Sequence, residues 1–529
     1  MRRFIPVLII AVGLGAYHNS FQGPFILDDV PSIAENSRIR SLLPIWDVLS
    51  PSASSMVGGH PVVNFSLAIN YALGGLAVWG YHALNLTIHI LAALTLFGIV
   101  RRTFSRQECW SIGLRQECWS TGVMECSERF GSSRVLLATS GASAEWIALA
   151  VAILWMVHPL QTEAVTYISQ RGEELMGLFY LLTLYGFIRG GEGSGSAGAS
   201  PSPPQAGTPV PPETARSAGA SPSPPQAGTP VPPETAGSAG ASPSNWPRGS
   251  AALRRWFVLS VVACGLGMAT KEVMVTAPVM VLLYDRTFVS GSFREAWARH
   301  WRLYLGLACT WLVLGCLMAG SSNLVGRGVG YGLGITWWSY AFTECRVVVQ
   351  YLRLALWPHP LVFDYGDAIG GGITLSHFAE AAPYALILAV LIVGILFELR
   401  WQPAIGFVGA WFFVILAPSS SVVPVAGQPM AEHRMYLPLA AVVTMAVVGA
   451  FEIGKRLVLK RGAVVGWITG GTVAVLFSFL TVERNRDYNS ALSIWQDTVK
   501  KRPDNARAQN NLGLALDQLG RRQEAVGRY

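Results

Sequence analysis

A-A-L-R-R-W-F-V-L-S-V-V-A-C-G-L-G-M-A-T-K-E-V-M-V-T-A-P-V-M-V-L-L-Y, residues 251–284, decides the fold. It is apolar throughout except for Arg254-Arg255 near its start and Lys271-Glu272 in its middle. A membrane-crossing helix needs about 20 apolar residues. The run is too long for one such helix and gives two short ones with almost no loop between them. Lys271 and Glu272 then sit at the turn of a hairpin, in a protein-lined cavity rather than bulk water. Ionisable groups at such depth are functional candidates by default. Adjacent positions do not face each other on a helix, so the pair is not simply an internal salt bridge.

Working outward, further apolar stretches lie at 4–17, 81–100, 144–158, 173–188, 302–320, 380–397, 403–417, 434–452 and 464–481. With the hairpin they predict an all-α polytopic membrane protein of about eleven spans. The composition agrees: 51% of the 529 residues are apolar and only 13% charged, against about 25% charged in soluble proteins. That deficit excludes a soluble enzyme, a secreted disulfide scaffold and a nucleic-acid binder. Arg2 and Arg3 precede the first span, which reads as an uncleaved anchor with a cytoplasmic N-terminus. Counting loops from there puts Arg101-Arg102, Arg254-Arg255, Arg286, Arg400 and Lys455-Arg456 all inside, as the positive-inside bias requires. Residues 338–356 carry Glu344, Arg346 and Arg353 and read instead as an amphipathic helix at the outer interface.

Four domains follow. Residues 1–189 form a first membrane module with an outer loop at 19–80. Residues 190–250 are a Pro/Gly/Ala/Ser-rich repeat without enough apolar surface to fold, a disordered linker. Residues 251–482 form a second membrane module with an outer loop at 321–378. From 483 to 529 the pattern changes: Ala491 to Ala525 and Trp495 to Tyr529 both recur at about 34 residues, the tetratricopeptide period. The chain stops within the second helix of that unit, so it reads as truncated, and the span count puts these repeats outside.

The outer loops are rich in ionisable residues. Asp28-Asp29 lies in F-I-L-D-D-V-P, where repulsion between neighbouring carboxylates can leave one able to accept a proton. H-P-L-Q-T-E-A-V-T-Y-I-S-Q-R-G-E-E brings His158, Glu163, Arg171, Glu173 and Glu174 to a span boundary. Glu432-His433-Arg434 stands directly before an apolar helix, and an Arg fork there suits phosphate. His60 lies on the same face. Carboxylates and cations gathered at an outer leaflet suit a lipid-linked phosphate meeting a polar acceptor. No phosphate loop, dinucleotide fingerprint, zinc spacing or serine-hydrolase elbow is present in the sequence.

In order, the chain carries D-D in the first outer loop, N-F-S-L-A-I-N-Y-A-L-G-G, W-G-Y-H-A-L-N-L-T-I-H, H-P-L-Q-T-E-A-V-T-Y-I-S-Q-R, T-K-E-V-M-V-T-A-P, A-E-H-R-M-Y-L-P and terminal repeats. This succession resembles the transmembrane-and-tetratricopeptide-repeat family of O-mannosyltransferase-like proteins, within the C-type superfamily of membrane glycosyltransferases (GT-C). The resemblance covers nearly all of the chain apart from the low-complexity inserts. It implies an extracytoplasmic active site in a cell (inner) membrane and a polyprenyl-phosphate-linked sugar as donor. It also implies a catalytic acid at Asp28 or Asp29. Where relatives tend to have Arg-Pro, this chain has His60-Pro61.

Lys271, Arg434 and Arg171 are then the expected phosphate cations. Glu272, Glu163 and Glu432, with His60, His158 and His433, are expected to bind sugar or orient those cations. No cofactor is needed, although Asp28-Asp29 could hold a divalent cation weakly. The repeats offer a surface for an acceptor polypeptide or glycan. An O-antigen-type polymerase or ligase and a non-enzymatic membrane-anchored repeat scaffold remain alternatives.

Overall fold

The computed structural model describes residues 4–51, 58–121, 141–192, 251–320, 337–366, 375–421, 428–457 and 462–529. Most of the expected linker at 190–250 lies outside them. The described residues are helical and contain no strand.

Helix α1 is Ile5–Tyr17, and the segment that follows it holds α2 (Ile45–Leu49) and α3 (Pro61–Gly74). Next comes α4 (Val78–Thr121), whose 44 residues reach about 66 Å and run on through a repeated R-Q-E-C-W-S at 106–111 and 115–120. Then follow α5 (Gly141–Met156), α6 (Thr162–Thr166), α7 (Arg171–Gly191), α8 (Ala251–Met268) and α9 (Ala277–Asp285). The second half has α10 (Phe293–Gly320), α11 (Trp337–Leu356), α12 (Leu375–Trp401), α13 (Pro403–Leu416), α14 (Leu439–Leu457) and α15 (Gly462–Asp487). Three terminal helices close the chain: α16 (Ala491–Lys501), α17 (Ala506–Gln518) and α18 (Arg522–Val526).

Each of the eleven apolar stretches is helical at its centre. By length and composition, four segments can cross a membrane: Val78–Ser105, Glu272–Ser290, Phe293–Ala319 and Ala379–Trp401. A fifth is the pair Ser143–Met156 and Pro159–Thr166, bent by 53°. By the same measure the other stretches do not qualify. The α12 segment shows why lipid must surround it: Leu386, Val390 and Val393 are each more than 60% exposed, which water would penalise heavily.

The hairpin at 251–284 forms as its sequence requires. Helix α8 ends at Met268, Lys271 adopts an extended conformation, and a 3-10 turn, Glu272–Thr276, leads into α9. Val62 of α3 donates to Ala269 O at 3.3 Å and fastens the turn to the segment between α1 and α4. Residues 337–356 form an amphipathic helix: Val347, Val348, Tyr351 and Leu354 are buried while Arg346 and Arg353 are exposed.

The terminal helices are not a free solenoid edge. Ile494, Trp495 and Val499 of α16 and Leu512 and Leu516 of α17 share one core with Ile26, Tyr167 and Phe363. The Phe363 ring lies between Tyr167 at 5.2 Å, Trp495 at 5.3 Å and Tyr488 at 5.7 Å. Lys501 Nζ donates to Leu361 O at 2.7 Å, and Asn505 Nδ2 donates to Asp364 O at 3.0 Å. Arg507 grips Asp364 with a two-toothed fork of 2.5 and 2.7 Å. Phe363→Ala should therefore cost about 3–5 kcal/mol locally and release the terminal helices. Limited proteolysis should cut the variant between Asp487 and Ala491 much faster than the wild type. Equal cutting rates would show that Phe363 does not hold them.

Candidate active site

The Asp28-Asp29 pair is set by a local backbone device. Leu27 has φ 44°, a left-handed conformation that a branched side chain adopts only under constraint. The turn closes with Asp29 N donating to Ile26 O at 2.9 Å. The two carboxylates then part company. Asp29 is 1% exposed; its Oδ2 accepts from Ile26 N at 3.1 Å and its Oδ1 from Ser169 N at 2.6 Å. It therefore ties the loop after α1 to the loop between α6 and α7, with both oxygens accepting backbone N–H groups.

Asp28 is half-buried, and its backbone N–H donates to Tyr167 Oη at 2.9 Å. The Asp28 carboxyl pKa is raised, chiefly by burial and also by Asp364 and Glu163, against the lowering effects of Tyr167 and Arg507. Asp28 is thus the member of the pair with a carboxylate available to a ligand.

Burial pushes Asp29 up to about 7, in spite of the Ile26 and Ser169 N–H donors and with a contribution from Asp28. Its folded pKa lies above its ordinary value, so the stability it contributes is complete below about pH 4 and is lost as pH rises to about 7. Asp29→Asn removes this dependence. The melting temperature of the variant relative to wild type should climb between about pH 4 and 7 and then level off. A difference that stays flat across that window would remove the assignment.

A second acidic group stands beside Asp28. Glu163 Oε1 meets His433 Nδ1 at 2.9 Å, and Glu163 Oε2 accepts from His433 N at 2.9 Å. Glu432 Oε1 accepts from Val362 N at 2.6 Å and from Tyr365 Oη at 2.8 Å. Its Oε2 is buried without a hydrogen-bond partner among the described residues. Burial raises Glu432 to about 7, with Arg484 opposing and Glu163 adding to the shift. Arg484 is anchored by Asp487 of its own helix α15 at 2.9 Å and by Asp497 of α16 at 2.8 Å.

His433 is depressed to about 3, first by burial and then by the charge of Lys271. Neutral imidazole is thus the form present at ordinary pH, donating through Nδ1 to Glu163. Lys271 donates to Glu173 at 2.8 Å with a quarter of its side chain exposed. At the outer edge His60 faces Glu272 at 3.8 Å.

Asp28, Glu163, Glu432, His433 and Lys271, drawn from four separate segments, therefore belong to one electrostatic neighbourhood, with His60 and Glu272 at its edge. Three other expected residues take different places. The phosphate role expected of Arg171 does not fit: it is fully buried, donating to Asn85 Oδ1 at 2.7 Å, Tyr81 O at 3.0 Å and Ser66 O at 3.3 Å. It clamps α7 to α3 and α4. Nor does His158 fit a ligand role. Its Nδ1 accepts from Leu160 N, its Nε2 donates to Ala355 O, and its ring abuts Phe477, so it caps the Pro159–Gln161 turn. Arg434 donates to Pro429 O at 2.7 Å and Gln428 O at 2.5 Å, with Tyr340, Tyr351 and Glu344 around it. That commits it to the turn before the 3-10 segment Glu432–Met435.

Asp364, Tyr365, Arg484 and Arg507 complete the site and carry no motif in the sequence. A charged residue in a loop or at a helix end reads as solvated until its partner is known. The one available signal for Arg484 and Asp487 is their spacing in the last turn of α15.

No family model matches the chain. A protein O-mannosyl-transferase of Caenorhabditis elegans is 20% identical over 99% of this chain and 61% of its own length. Tmtc3, a protein O-mannosyl-transferase of Drosophila melanogaster, is 26% identical over 36% of this chain and 19% of its own length. The human protein O-mannosyl-transferase TMTC4 is 24% identical over 37% of this chain and 24% of its own length. The chain thus spans about three-fifths of the first of these relatives and smaller shares of the others. Among solved structures, that of ArnT from Cupriavidus metallidurans bound to undecaprenyl phosphate aligns over 99% of this chain and 73% of that one. The sequence identity is 15% and the TM-score 0.41.

Proposed function

We propose that this chain, similar along its length to protein O-mannosyl-transferases, is a membrane glycosyltransferase that moves a sugar from a polyprenyl-phosphate donor to an acceptor hydroxyl. The relatives favour mannose as the sugar and a protein Ser or Thr as the acceptor. In this reading the chain crosses a cell membrane about eleven times, with a cytoplasmic N-terminus and extracytoplasmic terminal helices that receive the acceptor.

The observation that carries the reading is that Asp28, half-buried and with no backbone N–H bound to its carboxylate among the described residues, lies in the field of Glu163, which holds His433, which in turn feels the charge of Lys271. Asp28 takes the proton of the attacking hydroxyl. The hydroxyl oxygen bonds to the anomeric carbon while the carbon–oxygen bond to the phosphate breaks, and its electron pair leaves with the lipid phosphate. A phosphate is already a competent leaving group, so the protein needs a base and a cation rather than a strong acid. Lys271, steered by Glu173, supplies that cation. Glu163 fixes His433 as a neutral donor, and Glu432 turns its free oxygen towards sugar hydroxyls.

The test is transfer of labelled mannose from polyprenyl-phosphate mannose to Ser/Thr-containing peptides by the full chain in proteoliposomes. Product sensitive to mild alkaline elimination is expected. No transfer from mannose, glucose or aminosugar donors, with the protein folded and correctly inserted, would overturn the reading.

A further inference from the structure

An apolar groove of about 420 Å³ opens among α4, α7, α9, α13, α14 and the turn Arg286–Ser290, within the usual size of ligand sites. Val100, Leu184, Phe288, Phe407, Thr444 and Val448 form its walls. It is separate from the acid cluster. Asn85 of α4 binds Arg171 near that cluster, and Val100 lies ~22 Å further along the same helix. Two of the elements around it belong to segments that can cross a membrane, Val78–Ser105 and Glu272–Ser290. The groove therefore opens at bilayer depth, near the face opposite Asp28. Ile405 and Met445 at its lining are 38% and 45% exposed, so the mouth is apolar as well.

The rim carries a cation held in place by a dedicated structure. Asp285 is fully buried and accepts from Ser290 Oγ at 2.7 Å, from His300 Nδ1 at 2.6 Å and from Tyr304 Oη. This fixes the Arg286–Ser290 turn, which Gly291 ends at φ 80°. Half-buried at the mouth, Arg286 spends one donor on Leu399 O at 2.7 Å. Among the described residues no carboxylate lies within 4 Å of it. The other charged lining residue, Glu452, is neutralised by Lys455 at 2.8 Å.

We propose that this groove binds one anionic glycerophospholipid, its acyl chain between α4 and α14 and its phosphate on Arg286. A guanidinium at the mouth of an apolar cleft between membrane helices matches that amphiphile in both parts. The fork takes phosphate oxygens in charge-assisted hydrogen bonds, and the walls replace neighbouring lipid tails. The inference is independent of sugar transfer, since none of the residues given a role there line the groove.

The test uses the full chain in phosphatidylcholine vesicles doped with phosphatidylglycerol carrying a photoactivatable group in its acyl chain. Peptide mapping should place the label on residues 284–291 and 440–449. Labelling should exceed that by an equally labelled phosphatidylcholine by about tenfold. Arg286→Gln should bring the two lipids level, and Val448→Trp, which fills the groove, should remove both labels without lowering the melting temperature. If Val448→Trp lowers the yield of folded protein, Arg286→Gln decides alone. Equal labelling of the wild type by both lipids overturns the proposal. So does label elsewhere, or displacement of the label by an uncharged-headgroup lipid or by a polyprenyl phosphate at lower concentration.

Discussion

Replacing Asp28 by Asn is expected to lower sugar transfer by about 10²–10⁴-fold, the usual contribution of a positioned base, while leaving the amount of folded protein unchanged. The two halves of that result follow from separate observations. The loss follows because Asp28 is the carboxylate of the pair that is not consumed by the fold. The unchanged yield follows because Asp28 serves the structure through its backbone, its N–H to Tyr167 Oη and its carbonyl from Ser32 N, and an Asn side chain can still accept from Tyr167. Asp29→Asn should behave differently. Both Asp29 oxygens bind backbone N–H groups, so its effect should fall on stability and its pH dependence before it falls on turnover. Parallel initial rates and melting temperatures for the two variants check both statements. Full transfer by Asp28→Asn would sink the assignment of the base, whatever the behaviour of Asp29.

Arg171→Ala should abolish accumulation of folded protein. The guanidinium is fully buried and satisfies Asn85 and the carbonyls of Ser66 and Tyr81 at once. Glu174, also fully buried, has neither oxygen hydrogen-bonded among the described residues and has Arg171 as its counter-charge. Removing the cation strands Asn85 Oδ1, leaves the Ser66 and Tyr81 carbonyls only their helical bonds and takes from Glu174 its counter-charge, a loss of about 3–5 kcal/mol by comparison with broken buried pairs. That is a large part of the stability of an ordinary domain. Detergent-solubilised variant should run as aggregate in size-exclusion chromatography. Arg171→Ala combined with Glu174→Gln should recover part of the folded peak, because a group able to ionise is no longer buried without a counter-charge. A monodisperse Arg171→Ala protein that fails only in transfer would restore this residue to a ligand-binding role.

Much of the architecture could be read from single segments. The run at 251–284 declared two helices with Lys271 between them, because hydropathy and length are properties of a stretch and need no partner. The amphipathic pattern of 337–356 separated that helix from the apolar ones for the same reason: Arg346 and Arg353 lie on a different face from Val347, Tyr351 and Leu354. The acids and bases of Asp28-Asp29, Glu163 and Glu432-His433 were visible as charges out of place in an apolar chain. The terminal helices were visible in their spacing, but their docking onto Phe363 was not.

What no segment carries is the identity of a partner. Arg171, Lys271, Arg434 and Arg484 look alike along the chain, each a cation near an apolar helix. Contacts across large sequence distances make Arg171 a clamp and bring Arg484 to Glu432, bonds to Gln428 and Pro429 close by in the chain bind Arg434 to a turn, and Lys271 keeps an exposed face. His158 and His433 divide in the same way, one capping a turn and the other held by Glu163. Composition and periodicity fixed where helices form, because each helix satisfies its own backbone hydrogen bonds and answers to lipid or neighbour by its side chains alone. The tertiary structure decided which ionisable groups are used up, because the cost of burying a charge is set by the groups that surround it, and those come from elsewhere in the chain.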